Sequence, residues 1–227
     1  MICSSISALA GLTVVAGTVG LASAGAAPVS APTFWSNTQA GPEAGMADAA
    51  AVSAITGSPN IVVVGSSPRL TDTAARISPS DCLGAWRPGQ QQAYAGRPWI
   101  ATVTTVLADG KDADAQHLVQ ETAVQFGSPA DARQYLQDSA AQWDACAQRV
   151  VTVIPPSGAS RPWQLGQPVS AAGAPMTLAQ IGPSSRCERA LAAKADMVID
   201  VVVCSSVDDP VGQGAVLIDA IATQSKS

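Results

Sequence analysis

The 227-residue chain carries 12 Lys and Arg against 17 Asp and Glu, a net charge of −5 at pH 7 with its one His neutral. Its cations are scattered rather than striped. This excludes a nucleic-acid face, which needs clustered charge to neutralise phosphates, and electrostatic docking to an anionic membrane. The length suits one domain with a full hydrophobic core.

Residues 1–27 contain no charged side chain. The apolar run Leu12–Leu21 followed by Ala22–Ser23–Ala24 has the form of a signal peptide with an A-x-A cleavage site. The basic segment that usually precedes such a run is missing, which a start codon further upstream would explain. Residues 1–24 are therefore expected to be a signal peptide or, if retained, an N-terminal membrane segment that leaves peripheral membrane association open. Gly11, Gly17 and Gly20 weaken a spanning helix, and Cys3 lies too early for a lipobox in this frame. Residues 25–42, rich in Pro, Ser, Thr, Ala and Gly, read as a flexible linker. The folded domain is expected over 43–227.

The first predicted element is a helix from Glu43 to Ile55, stopped by Gly57. Ile61–Val64 is a short strand candidate, and Pro68–Pro79 a connection. Ser80 or Asp81 caps a short helix through Trp86, which Pro88–Gly89 interrupts and Gln90–Tyr94 resumes. Trp99–Leu107 alternates with β-branched residues on both faces, so a strand is expected, with His117–Phe126 as its partner across an Asp109–Gly110 turn. Ser128–Pro129, with Asp131 in the first turn, opens the best helix of the chain. Ala132, Tyr135, Leu136, Ser139, Trp143 and Cys146 recur along it at helical spacing. Val150–Ile154, a segment near Trp163, Met176–Ile181, Cys187–Ala192 and Met197–Cys204 read as further strands. A last helix is expected over Pro210–Ala222, with Asp208–Asp209 at its N-terminus. The pattern predicts an α+β fold: a twisted, mainly antiparallel sheet flanked by helices.

Cys82, Cys146, Cys187 and Cys204 form an even set behind an export-like leader, which favours structural disulfides. Four cysteines allow three pairings. If Ala195–Asp196 is a two-residue turn, the register sets Cys187 opposite Cys204, close enough for a cross-strand bridge. Cys82 then pairs with Cys146 by elimination. The chain-entropy picture assigns about 3 kcal/mol to the shorter loop and about 4 kcal/mol to the longer. The rival, a zinc site, lacks C-x₂₋₄-C knuckles, and no C-x-x-C motif points to redox chemistry.

Other chemistry-bearing residues are weaker. His117 stands alone, with no G-x-S-x-G elbow to serve, and is expected at a strand edge or surface. Asp109, Asp112 and Asp114 lack the calcium-loop spacing and its terminal Glu, and read as a polar hairpin turn. Of the five tryptophans, Trp86 and Trp143 sit beside cysteines and are assigned to packing, while Trp35 falls in the linker. Trp99 and Trp163, each behind an Arg–Pro pair, are candidates to line a cleft for an apolar or sugar-like ligand. Arg87, Arg97 and Arg161 lie near these rings. The candidate ligand-binding set is Arg97, Trp99, His117, Arg161 and Trp163, with no catalytic residue, metal or cofactor expected.

The stretch Asp81–Cys82–Leu83–Gly84–Ala85–Trp86 resembles the mycobacterial PknH-like extracellular sensor-domain family. The likeness continues through His117–Glu121, Phe126, Ala141–Cys146, Cys187, Val198–Val201 and Cys204, over roughly 43–225. The resemblance implies one α/β domain with a cleft and disulfides that join the first to the second and the third to the fourth cysteine. It also implies a secreted or cell-envelope location and a presumed ligand sensor without a catalytic set. No kinase domain accompanies this sequence, so signalling through a kinase of its own is not expected. The expected partner is a small lipid-like or sugar-like molecule, or alternatively an envelope protein.

Overall fold

The computed structural model of the chain describes residues 45–110, 115–155 and 158–224. The expected leader and linker, Trp35, Asp112 and Asp114 lie outside the described residues. Nine strands form one antiparallel sheet: β1 (Val62–Ser67), β2 (Ile77–Ser78), β3 (Trp99–Ala108), β4 (His117–Phe126), β5 (Val150–Val153), β6 (Arg161–Leu165), β7 (Met176–Ile181), β8 (Arg186–Lys194) and β9 (Met197–Ser205). Their spatial order is β1-β3-β4-β9-β8-β7-β6-β5-β2. Helices α1 (Ala49–Thr56), α2 (Leu83–Trp86), α3 (Pro129–Cys146) and α4 (Gln213–Gln224) complete the fold. None of the described helices is long and apolar enough to cross a membrane.

Strand alternation divides the sheet into two buried faces. On the first face, Val124, Phe126, Leu165, Leu178, Leu191 and Val198 pack with Leu83, Trp86, Tyr135 and Trp143 from α2 and α3. On the second, Leu107, Val119, Ala190, Ile199, Val201 and Val203 pack with Val52, Leu217, Ile218 and Ile221 from α1 and α4. Burial on both sides explains why β9 reads as a nearly continuous apolar run.

Several boundaries differ from the sequence reading. The first helix starts at Ala49, where the Asp48 side chain accepts the Ala51 N–H, and ends as expected on Gly57 in the left-handed region. Residues 90–96 form turns rather than a resumed helix, and the 68–79 connection holds the two-residue strand β2. The last helix begins at Gln213 because the acid at its N-terminus is Glu188 of β8, which accepts the N–H groups of Gly212 and Gly214 at 2.9 and 2.6 Å. Asp208 and Asp209 turn instead toward His117 and Arg186.

Both disulfides follow the first-to-second, third-to-fourth pairing: Cys82–Cys146 ties the α2 turn to the end of α3, and Cys187–Cys204 crosses β8 and β9. The β8–β9 register has Lys194 opposite Met197 and Cys187 opposite Cys204. The turn between them puts Ala195 at φ 53°, a conformation that usually calls for Gly or Asn.

The first face has a polar centre. Arg189, 1% exposed, donates to Val201 O at 2.6 Å and Gly84 O at 3.0 Å, and lies over the Trp143 ring at 5.0 Å. Its guanidinium also lies 2.6 Å from Asp200 Oδ1. Asp200 Oδ2 accepts the Gly89 N–H at 3.0 Å and the Tyr94 hydroxyl at 3.3 Å. Gly89 has φ +62°, and a Cβ there would lie 2.7 Å from Thr122 Oγ1, so this close approach of loop to sheet requires glycine.

Candidate functional site

The site is assembled from the end of α2 and the edge of the first face. A short 3-10 turn, Ser80–Cys82, runs into α2, all of whose residues are buried. The helix is too short to satisfy its own carbonyls. Gln180 of β7 therefore donates its side-chain amide to Ala85 O at 3.0 Å and Trp86 O at 2.8 Å, while Arg189 holds Gly84 O. Two sheet side chains thus set the position of Trp86 and of Arg87 after it.

Trp163 on β6 meets Trp86 edge-on, with ring centroids 4.7 Å apart and planes at 64°. Gly182, just past β7, lies flat against the Trp163 ring, where a Cβ would come within 2.6 Å of it. Arg161 lies two residues before Trp163 and so shares its face of β6.

Together these residues form one wall of an open cleft of about 460 Å³. Its floor is the sheet, with Leu118, Val202 and the Cys187–Cys204 disulfide, and Gln116, Ser184, Ser185, Ser205 and Ser206 complete the rim. The size falls in the range of small-molecule sites. The lining includes Arg87 and Arg161 and no acidic side chain among the described residues. Burial lowers the pKa of Arg87, and the nearby Arg189 charge lowers it further.

Of the five residues selected from sequence, Arg161 and Trp163 line this cleft. Arg97 is engaged by Asp138 of α3 at 2.5 Å. Trp99 borders a separate depression of about 350 Å³ beside Pro68, Leu70 and Tyr94. His117 is buried rather than at the surface, because the alternation that turns Leu118 into the cleft turns His117 to the opposite face. Its Nδ1 lies 2.6 Å from Asp109 Oδ2, and its Nε2 lies 3.6 Å from Asp208 Oδ2.

Burial alone would raise the Asp109 carboxyl. The backbone N–H and ring of His117, the Ser58 hydroxyl and the Gln116 N–H hold it instead at about 2. Asp109 thus fastens the hairpin, and among the described residues no group of three or more His, Cys, Asp or Glu is placed to hold a metal.

Sequence reasoning assigned Trp86 to packing and left Gln180 unremarked. The signal for Trp86 was its adjacency to Arg87 and Pro88, directly after a helix anchored by cysteine. Nothing in the spacing showed that β6 would bring Trp163 against it.

The chain matches the PknH-like extracellular domain family over residues 38–224. The crystal structure of the extracellular domain of PknH from Mycobacterium tuberculosis superposes with a TM-score of 0.73 at 23% sequence identity, covering 81% of this chain and 94% of that one. Comparison with curated protein sequences finds no significant match. The shared sheet and helices agree with the family match over nearly the whole folded region, and the chain belongs to the PknH-like extracellular domain family.

Proposed function

We propose that this domain is a ligand-binding module of the cell exterior whose site is the cleft between Trp86, Trp163 and the Cys187–Cys204 disulfide. The observation that carries this reading is the edge-on tryptophan pair held over an open cleft of about 460 Å³. Binding sites of this kind combine aromatic walls with a few placed polar groups. Here Arg87, Arg161, Gln116 and the serine rim are the polar groups. Arg97 and His117, engaged by carboxylates elsewhere, and Trp99, which borders a separate depression, are left out of the site.

The occupant is a small molecule, and binding shields Trp163 from solvent. Native mass spectrometry of the protein purified from its own cell envelope tests this. The expected result is a reproducible added mass that dissociates on activation and is lost in Trp163→Ala. Wild-type protein without added mass, and without a fluorescence response to any envelope extract, overturns it.

A second reading, docking of an envelope protein, is favoured by β1. This edge strand carries no charge and exposes Val62, Val63 and Val64, which are features of an edge open to pairing. Stable capture of a protein partner that persists in Trp163→Ala and is lost on charging Val63 supports that reading.

A further inference from the structure

We infer that the cleft selects an amphiphilic anion, with an acidic head group held by Arg87 and Arg161 and an apolar body laid along Trp163 and the disulfide floor. This rests on the cleft being the binding site. It adds the charge and shape of the occupant.

The first argument is the pairing of cations. Arg97, Arg149, Arg186 and Arg189 each face an aspartate, and the other arginines without one, Arg69, Arg76 and Arg133, lie outside the cleft. Arg87 and Arg161 have no carboxylate partner among the described residues, and both line the same cleft. The whole chain is acidic, with 17 acids to 12 bases, yet the cleft's described lining is cationic only. Such a local inversion of sign draws and holds an anion.

The second argument is desolvation. Arg87 is partly withdrawn from water beside Arg189, whose own charge is already matched by Asp200. A cation in that position is costly when unpaired, and a guanidinium is suited to bidentate contact with a phosphate, sulfate or carboxylate. The rim adds the hydroxyls of Ser184 and Ser185.

The third argument is the rest of the lining. Trp86, Trp163, Leu118, Val202 and the disulfide offer apolar surface in the same lining as the two guanidinium groups. A bare inorganic anion would leave that surface wet, whereas an alkyl or ring body would cover it.

Three probes separate these elements: octyl phosphate, octyl glucoside and inorganic phosphate, each titrated below micelle formation and followed by tryptophan fluorescence and calorimetry. Octyl phosphate is expected to bind at least about tenfold more tightly than either of the others, as loss of a charge-assisted contact implies. Added salt should weaken it. Arg161→Gln, at an exposed position, should weaken octyl phosphate about tenfold or more and octyl glucoside by clearly less. Arg87→Gln should act in the same direction, with its fold checked by circular dichroism.

Equal binding of octyl glucoside and octyl phosphate in the wild type, both lost in Trp163→Ala, overturns the anion inference and leaves the cleft reading standing. Inorganic phosphate as tight as octyl phosphate overturns the apolar body. Absence of binding by all three overturns the inference, and the native mass measurement then decides the cleft reading by itself.

Discussion

Glu121 on β4 is fully buried on the second face, and neither of its carboxylate oxygens has a partner with hydrogen-bond geometry. Burial pushes its pKa up to about 8, and the Asp48 charge adds to the push while the Ala47 backbone opposes it. An acid whose folded pKa is raised stabilises the fold relative to the unfolded chain only while protonated there. That advantage is complete below the unfolded value near 4.5 and is lost as pH rises toward 8. Glu121→Gln is therefore expected to flatten the pH dependence of stability over this window. By pH 8 it should raise stability by up to ~4 kcal/mol, measured by urea unfolding at a series of pH values. The alternation of β4 gave the placement of such residues to within one position: His117, Val119, Glu121 and Ala123 had to share a face. It did not say that this face is covered too, because α1 and α4 reach it from distant parts of the chain. For the same reason His117, expected near solvent, is enclosed by Asp109 and Asp208, and only two of the five candidate ligand residues meet in the cleft.

Elements with strong local signals stood where the sequence placed them. β3, β4 and α3 are examples, since alternation, capping and N-terminal proline act within a few residues. The α4 start was not legible, because its capping acid, Glu188, comes from a strand 24 residues earlier. β2 is held by pairing with β5 and carries little signal of its own. The two disulfides differ at this scale. Cys82 and Cys146 are sealed beneath α2 and α3, whereas Cys187 and Cys204 form part of the cleft floor. Partial reduction followed by alkylation and peptide mass mapping should label Cys187 and Cys204 first. Replacing Cys82 and Cys146 with serine should cost about 4 kcal/mol of unfolding free energy, and replacing Cys187 and Cys204 about 3 kcal/mol. Equal labelling rates would show that the cleft does not admit the reductant.

At the scale of the whole molecule, membership of an extracellular domain family accords with a two-disulfide framework. The proposed cleft lies at one end of the first face. The cleft draws on α2, β4, β6, β7, β8 and β9, so it exists only once β9 has joined β4 to β8.

The strand order has a further consequence. β9 is the last of the described strands and lies between β4 and β8, so it alone joins β1-β3-β4 to β8-β7-β6-β5-β2. Until residue 205 has been made, the strands on the two sides of β9 lack the partner that joins them into one sheet. The keystone is laid last among the described strands, so closing the sheet waits for contacts far apart in sequence, which slows commitment to the native state. A chain stopped at residue 196 should show no cooperative unfolding transition. A sharp transition in that fragment would mean that one half-sheet closes by itself.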